Sequence, residues 1–158
     1  MSHELNILVA DDSQDDIFLL QQAFKKAKVP SRFCQVCDGQ EACNYLQGEG
    51  CWGDRLAHPL PDVLLLDLDM PHKNGFEVLE WVRQQSECSL MIVYVLSASA
   101  RDSDIQRAHD LKANGYVVKP IQVADLVRFV QTLHQWHEFV VIPPHLTPTL
   151  TSKERQRR

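Results

Sequence analysis

Two hydrophobic rhythms alternate along the chain. LNILVA (5–10), DVLLLD (62–67) and LMIVYVLS (90–97) are dominantly apolar runs and predict buried strands, the second of the kind covered on both faces. RFCQVC (32–37) alternates, GYVVK (115–119) is short, and both also predict strands. Helical spacing fills the intervals. Ile17, Leu20, Ala23 and Phe24 recur on one face behind Ser13, a residue suited to capping a helix. QEACNYLQ follows the Asp38-Gly39 turn, Asn74-Gly75 opens a helix through FEVLEWVRQQ, ARDSDIQRAHDL (100–111) predicts a mostly polar helix, and 122–139 a last one. Residues 48–61, GEGCWGDRLAHPLP, are rich in Gly and Pro and predict a surface loop. The proline-broken end with its basic terminus, 143–158, predicts a loosely ordered tail behind a single unit over 4–142.

Strands that alternate with helices predict an α/β fold with a parallel sheet covered on both faces. With right-handed crossovers, the flavodoxin-like (βα)5 doubly wound arrangement, strand order 2-1-3-4-5, is the expected topology. It opens a crevice at the carboxyl ends of the first and third strands. Asp11-Asp12 and Asp67 fall there; Ser97 ends the fourth strand and Lys119 the fifth.

Composition changes this picture little: 44% apolar and 23% charged residues describe an ordinary globular chain. A net charge of −5 and a pI near 5.7 argue against a general nucleic-acid or anionic-membrane binder. No apolar run reaches the ~20 residues of a membrane span, and residues 1–4 show no signal-peptide pattern, so a cytoplasmic protein is expected. The five cysteines, Cys34, Cys37, Cys43, Cys51 and Cys88, do not suggest a disulfide framework. Cys34 and Cys37 make a lone C-x-x-C whose members face opposite sides of a strand, so buried or half-exposed thiols are expected rather than a zinc or redox pair.

The carboxylates carry the chemistry. Asp67 ends an apolar strand, where a charge costs desolvation unless something pairs with it. Taken singly, Asp11-Asp12 reads as a polar turn with a helix cap, Lys119 as a snorkelling surface lysine, Ser97 as a strand-end hydroxyl and Tyr116 as a core ring. Delivered together to one sheet edge, three carboxylates repel one another and raise each other's pKa. A hard divalent cation resolves this, and Mg²⁺ suits a site of a few carboxylates, water and phosphate oxygens. Phosphoryl transfer to Asp67, giving an acyl phosphate, fits this set, with Mg²⁺ and Lys119 spreading the developing charge and Ser97 donating a hydrogen bond.

VADDS (9–13), LLLDLDMP (64–71), VLSAS (95–99) and GYVVKP (115–120) resemble the four signature segments of response-regulator receiver (CheY-like) domains, and the resemblance covers about 5–139. It implies that Asp67 is the phosphoacceptor and that Asp12 contacts Mg²⁺ directly, with Asp11 nearby or acting through water. It also implies that the backbone carbonyl of Asp69 is a further metal ligand and that Lys119 pairs with the phosphoryl group, across a cis Lys119-Pro120 bond. Ser97 and Tyr116 match the hydroxyl and aromatic pair that shift together on phosphorylation. Many relatives carry Asn where this chain has Asp69, a charge that bears on acyl-phosphate lifetime.

LLLDLD also resembles the D-x-D strand end of haloacid-dehalogenase-type phosphatases, but there the acidic pair comes late, and Pro71 stands where those enzymes carry Thr or Val. A Rossmann-type dehydrogenase lacks its G-x-G-x-x-G. The expected function is therefore a single-domain response regulator, phosphorylated by a histidine kinase and signalling by association, since too few residues follow the sheet for a helix-turn-helix module. QTLHQWHEFVVIPP (131–144) and the long loop before PDVLLLD resemble small response regulators that pair with phytochrome-type histidine kinases. On the last helix, Val123, Leu126, Val127, Val130 and Leu133 form a core stripe that Phe129, Trp136 and Val140 widen. A homodimer through Leu126, Phe129, Leu133, Trp136 and Val140 is expected. His134 and His137, without a third ligand, are expected on a solvated or interfacial face.

Overall fold

The computed structural model describes residues 4–119 and 121–139. Val140, the tail over 143–158 and the Lys119-Pro120 bond lie outside the described residues. In chain order the elements are β1 (Leu5–Ala10), α1 (Gln14–Ala27), β2 (Ser31–Val36), α2 (Gly39–Gln47), β3 (Val63–Leu66), α3 (Gly75–Gln84), β4 (Ile92–Ser97), α4 (Asp102–Asp110), β5 (Gly115–Val118) and α5 (Val123–Phe139). The strands pair in parallel in the order β2-β1-β3-β4-β5, as the hydrophobic pattern predicts.

Alternation along the central strands divides the core. Leu8, Ala10, Leu64 and Leu66 face α2 and α3, while Leu5, Ile7, Val9, Val63 and Leu65 face α1 and α5. Both faces are covered, which is why these strands are almost wholly apolar until they end, Asn6 near the start of β1 being half-buried. Helix starts follow local chemistry. The side chains of Ser13, Asp38 and Asn74 accept from the backbone N–H groups of Asp16, Glu41 and Glu77, so each turn residue is also an N-cap.

The segment 48–61 departs from a plain surface loop. It forms a 3-10 turn over Gly50–Trp52 and packs back on α2. The Trp52 ring lies 5.1 Å from that of Tyr45 and 4.9 Å from that of His58, and the Tyr45 hydroxyl donates to the Pro59 carbonyl at 2.9 Å. Arg55 donates to the carbonyls of Tyr45 and Leu46, satisfying the open C-terminal acceptors of α2. At the opposite edge of the sheet from Asp67, Arg83 donates to the carbonyls of Ser89, Met91 and Lys112 and to Asn114 Oδ1.

Three expectations for the later helices are corrected. Helix α4 is shorter than 100–111, because Ser99 and Arg101 bind the Asp104 carboxylate and hold the chain in a turn before it. On α5, Leu126 and Leu133 are buried in their own core and are not available to a second copy, and Phe129 is half-buried edge-on against Tyr94. Trp136 and Phe139 remain outside, 59% and 84% exposed. His137 is buried and His134 half-buried, so the pair does not lie on a solvated face. No helix among the described residues is long and apolar enough to cross a membrane.

Gly39 is required by a close approach: a Cβ there would collide with the backbone carbonyl of Lys73, in the loop that follows Asp67. Gly39→Ala is expected to cost roughly 2–3 kcal/mol of unfolding free energy, read by chemical denaturation. An unchanged midpoint would mean that this loop yields freely.

Candidate functional site

Backbone pairing continues one residue past the strands and sets the site. The Asp11 N–H donates to the Val36 carbonyl at 3.2 Å, the Asp67 N–H to Ala10 at 2.9 Å, and the Lys119 N–H to Ser97 at 2.7 Å. Asp11, Asp67, Ser97 and Lys119 are thereby placed side by side at the carboxyl edge of β1, β3, β4 and β5. Behind Asp67, α3 begins at Gly75, where a Cβ would strike the Asp67 carbonyl.

Asp11 and Asp67 are buried, while Asp12 and the side chain of Asp69 are exposed. Carboxylate oxygens of Asp11, Asp12 and Asp67 come within 4.8 Å of one another. The Lys119 ammonium answers part of this negative charge, donating to Asp11 Oδ2 at 2.6 Å and Asp16 Oδ2 at 2.9 Å, with Asp67 Oδ1 at 4.0 Å. Burial pushes the Asp67 carboxyl up to about 7 against the pull of Lys119; the Asp11 charge pushes the same way, the Asp69 backbone N–H lowers it and the Asp69 carboxylate raises it. Lys119 is opposed by burial, but its hydrogen bonds to Asp11 and Asp16 and the charges of Asp67 and Asp11 hold its pKa above the usual lysine value. A donor set of clustered carboxylate oxygens, one of them held above the usual carboxylate range by burial, fits a hard divalent cation.

Ser97 is fully buried at the next strand end, its Oγ accepting from the Ser99 N–H at 3.1 Å. Tyr116 is half-buried among Leu68, Phe76, Val95 and Ala108, and its hydroxyl donates to the Ser99 carbonyl at 2.8 Å. Serine and tyrosine therefore meet through Ser99. Cys34 is half-buried and Cys37 exposed, both as free thiols. The residue sequence reasoning missed is Asp16. Its place in the first turn of α1 reads as an ordinary acidic helix start, and its only signal is the spacing that returns it to the side of Asp11.

A model of the response regulator receiver domain family matches residues 7–131. Response regulator Rcp1 of Synechocystis is 32% identical over 148 residues, 90% of this chain and 99% of its own; its Mn²⁺-bound form superposes with a TM-score of 0.76 at 31% identity, over 88% and 99% of the two chains. The phosphorylated cyanobacterial phytochrome response regulator RcpA superposes with a TM-score of 0.78 at 32% identity, over 90% and 99%. A response regulator in red light signalling of R. palustris gives 0.80 at 32% identity, over 88% and 98%. The chain belongs to the response-regulator receiver family. The haloacid-dehalogenase reading of the Asp67 segment falls with that assignment.

Because folding raises the Asp67 pKa from 3.8 to about 7, the folded state binds more protons than the unfolded one between those values. Its contribution to stability is full below about pH 4 and is lost as pH rises through 7. In chelator, Asp67→Asn is therefore expected to melt several degrees above wild type at pH 8, with the gap closing toward pH 5. A gap that does not vary with pH would remove the buried charge as its cause.

Proposed function

We propose that the chain accepts a phosphoryl group from a histidine kinase onto Asp67 and signals by association with other proteins, with 4–142 as the receiver unit and 143–158 as a tail. Asp67 itself carries this reading: a buried carboxylate at the sheet edge, grouped with Asp11 and Asp12 and 4.0 Å from the Lys119 ammonium. In the transfer, a carboxylate oxygen of Asp67 attacks phosphorus. The new O–P bond forms as the bond to the donor imidazole nitrogen breaks, and the electron pair leaves with that nitrogen. Lys119 donates to the phosphoryl oxygens, and the Ser97 hydroxyl donates to another of them. A Mg²⁺ ion held by Asp11, Asp12, Asp67 and the backbone carbonyl of Asp69 would supply the remaining positive charge for the carboxylates and the phosphoryl oxygens. The chain is labelled by this reaction and is not a turnover enzyme.

Ser97 has a transmission role in this scheme. Turning its hydroxyl toward the phosphoryl group gives up the bond from the Ser99 N–H, and Ser99 is also what Tyr116 holds. Phosphorylation then biases Ser99, Tyr116 and the start of α4 between two states. The likeness to RcpA and to the R. palustris regulator of red light signalling supports a phytochrome-type kinase as the donor.

Wild type is expected to take label from a small phosphoramidate donor with Mg²⁺ and to lose labelling in chelator; Asp67→Asn, nearly isosteric, is expected to take none. Ser97→Ala is expected to accept label while its partner binding no longer responds to it. Undiminished labelling of the Asn variant would move the chemistry to another carboxylate.

A homodimer through the end of α5 is the second part of the reading. Trp136 and Phe139, three residues apart and 59% and 84% exposed, share one helix face. Large aromatic side chains on one exposed face commonly mark an interface, and a two-fold pairing buries the same face of both copies. Phe129 stands half-buried on the same helix. Sedimentation at micromolar concentration is expected to show a dimer for wild type and a monomer for Trp136→Asp/Phe139→Asp. A wild-type monomer, with and without phosphodonor, would end this proposal.

A further inference from the structure

Lys119 is held by carboxylates from separate elements, and they do not hold it equally. Its ammonium has three N–H donors. Asp11 Oδ2 takes one at 2.6 Å and Asp16 Oδ2 another at 2.9 Å, while Asp67 Oδ1, at 4.0 Å, lies beyond hydrogen-bond reach. The lysine that phosphoryl transfer needs is thus committed away from the acceptor.

The two holders differ in what it costs to release them. The Asp11 side chain is 6% exposed and its other oxygen accepts from the Ser13 N–H, so leaving it unpaired strands a buried charge. The Asp16 side chain is 40% exposed. Water can take the place of the ammonium there at little cost. The Asp16 backbone is meanwhile fixed by the bond of its N–H to Ser13 Oγ, so the carboxylate stays beside Lys119 whether or not it is bound. A cavity of about 70 Å³, lined in part by Leu20, Leu96 and Leu126, borders both side chains, so neither is locked in place by close packing on that side.

We propose that Asp16 is a positioning residue: it holds Lys119 off the acceptor in the unphosphorylated protein and yields it when a phosphoryl group is on Asp67. This rests on the reading of Asp67 as phosphoacceptor. The exchange is non-covalent and moves no proton. One N–H···O bond to Asp16 is replaced by one to a phosphoryl oxygen, and the Asp16 carboxylate becomes hydrated. Asp16 therefore weakens the phosphorylated state relative to the unphosphorylated one.

Beryllofluoride, a phosphoryl mimic that coordinates an aspartate oxygen with loss of water or fluoride and needs no phosphodonor, tests this on the full chain in saturating Mg²⁺, followed by ¹H–¹⁵N spectra. Asp16→Asn is expected to bind it about three-fold tighter, the scale of a half-exposed ion pair. Asp16→Glu, which restores the carboxylate, should return toward wild type. Asp15→Asn removes the same charge from an exposed neighbour that does not bind Lys119 and should leave affinity unchanged. In wild type without beryllofluoride, the Lys119 ammonium signal, assigned with Lys119→Arg, should show hydrogen-bond coupling to the Asp11 and Asp16 carboxyl carbons. The Asp16 coupling should disappear on adding beryllofluoride. Unchanged or weaker binding by Asp16→Asn, equal tightening by Asp15→Asn, or an Asp16 coupling that survives in the bound wild type would each overturn the proposal. A wild type that binds no beryllofluoride at all would overturn the phosphoacceptor reading itself, a different result from any of these.

Discussion

The Lys119 ammonium joins what the backbone leaves separate. Strand pairing sets β1, β3 and β5 in one sheet, but nothing in the ladder compensates the carboxylates that project from its edge. Lys119 reaches Asp11 and Asp16 directly and Asp67 at longer range, linking the end of β5 to β1, α1 and β3. Without this cation the edge would carry like charges in a desolvated crevice, which folding tolerates poorly. With it, the charge is only partly met, and burial still pushes the Asp67 carboxyl up to about 7. That shortfall is what makes the crevice receptive to further positive charge.

Much of the fold is legible because burial on both faces leaves a plain mark. A strand covered on each side admits only apolar residues, so VLLL and IVYVLS announce themselves and their first polar residues mark the crevice. The site follows from topology, since strand order decides which ends are neighbours. What stays hidden depends on contacts between distant residues. The 48–61 segment has the composition of a loop, and only the packing of Tyr45 on Trp52 and the reach of Arg55 to the end of α2 join it to the core. Leu126 and Trp136 both read as apolar positions on the last helix, and the direction of the sheet alone separates the buried one from the exposed one. Asp16 is harder still, because an acid in a first helical turn has a sufficient local explanation.

Ser99 illustrates how little is needed to couple two side chains that do not touch. Its N–H serves Ser97, its carbonyl serves Tyr116, and its hydroxyl serves Asp104 at the start of α4. One residue thus samples the crevice, the β5 side of the sheet and a helix. Helix α4 has little with which to resist such a disturbance, since Ala108 is its one buried residue among those described and Arg107 adds a cation–π contact to Phe76.

The Arg83 clasp gives that weakness a direction. By gripping the carbonyls of Ser89, Met91 and Lys112, it pins the far end of α4 to the amino edge of the sheet. Helix α4 is then a lever with its fulcrum near Lys112 and its other end tied to Ser99 through Asp104. Nine residues give it an arm of about 14 Å. One ångström of play at that other end becomes roughly 4° of tilt over that arm. Under the proposed function, a surface built on such a lever would report the state of the crevice as an angle, and a partner reading it would be sensitive to orientation more than to distance.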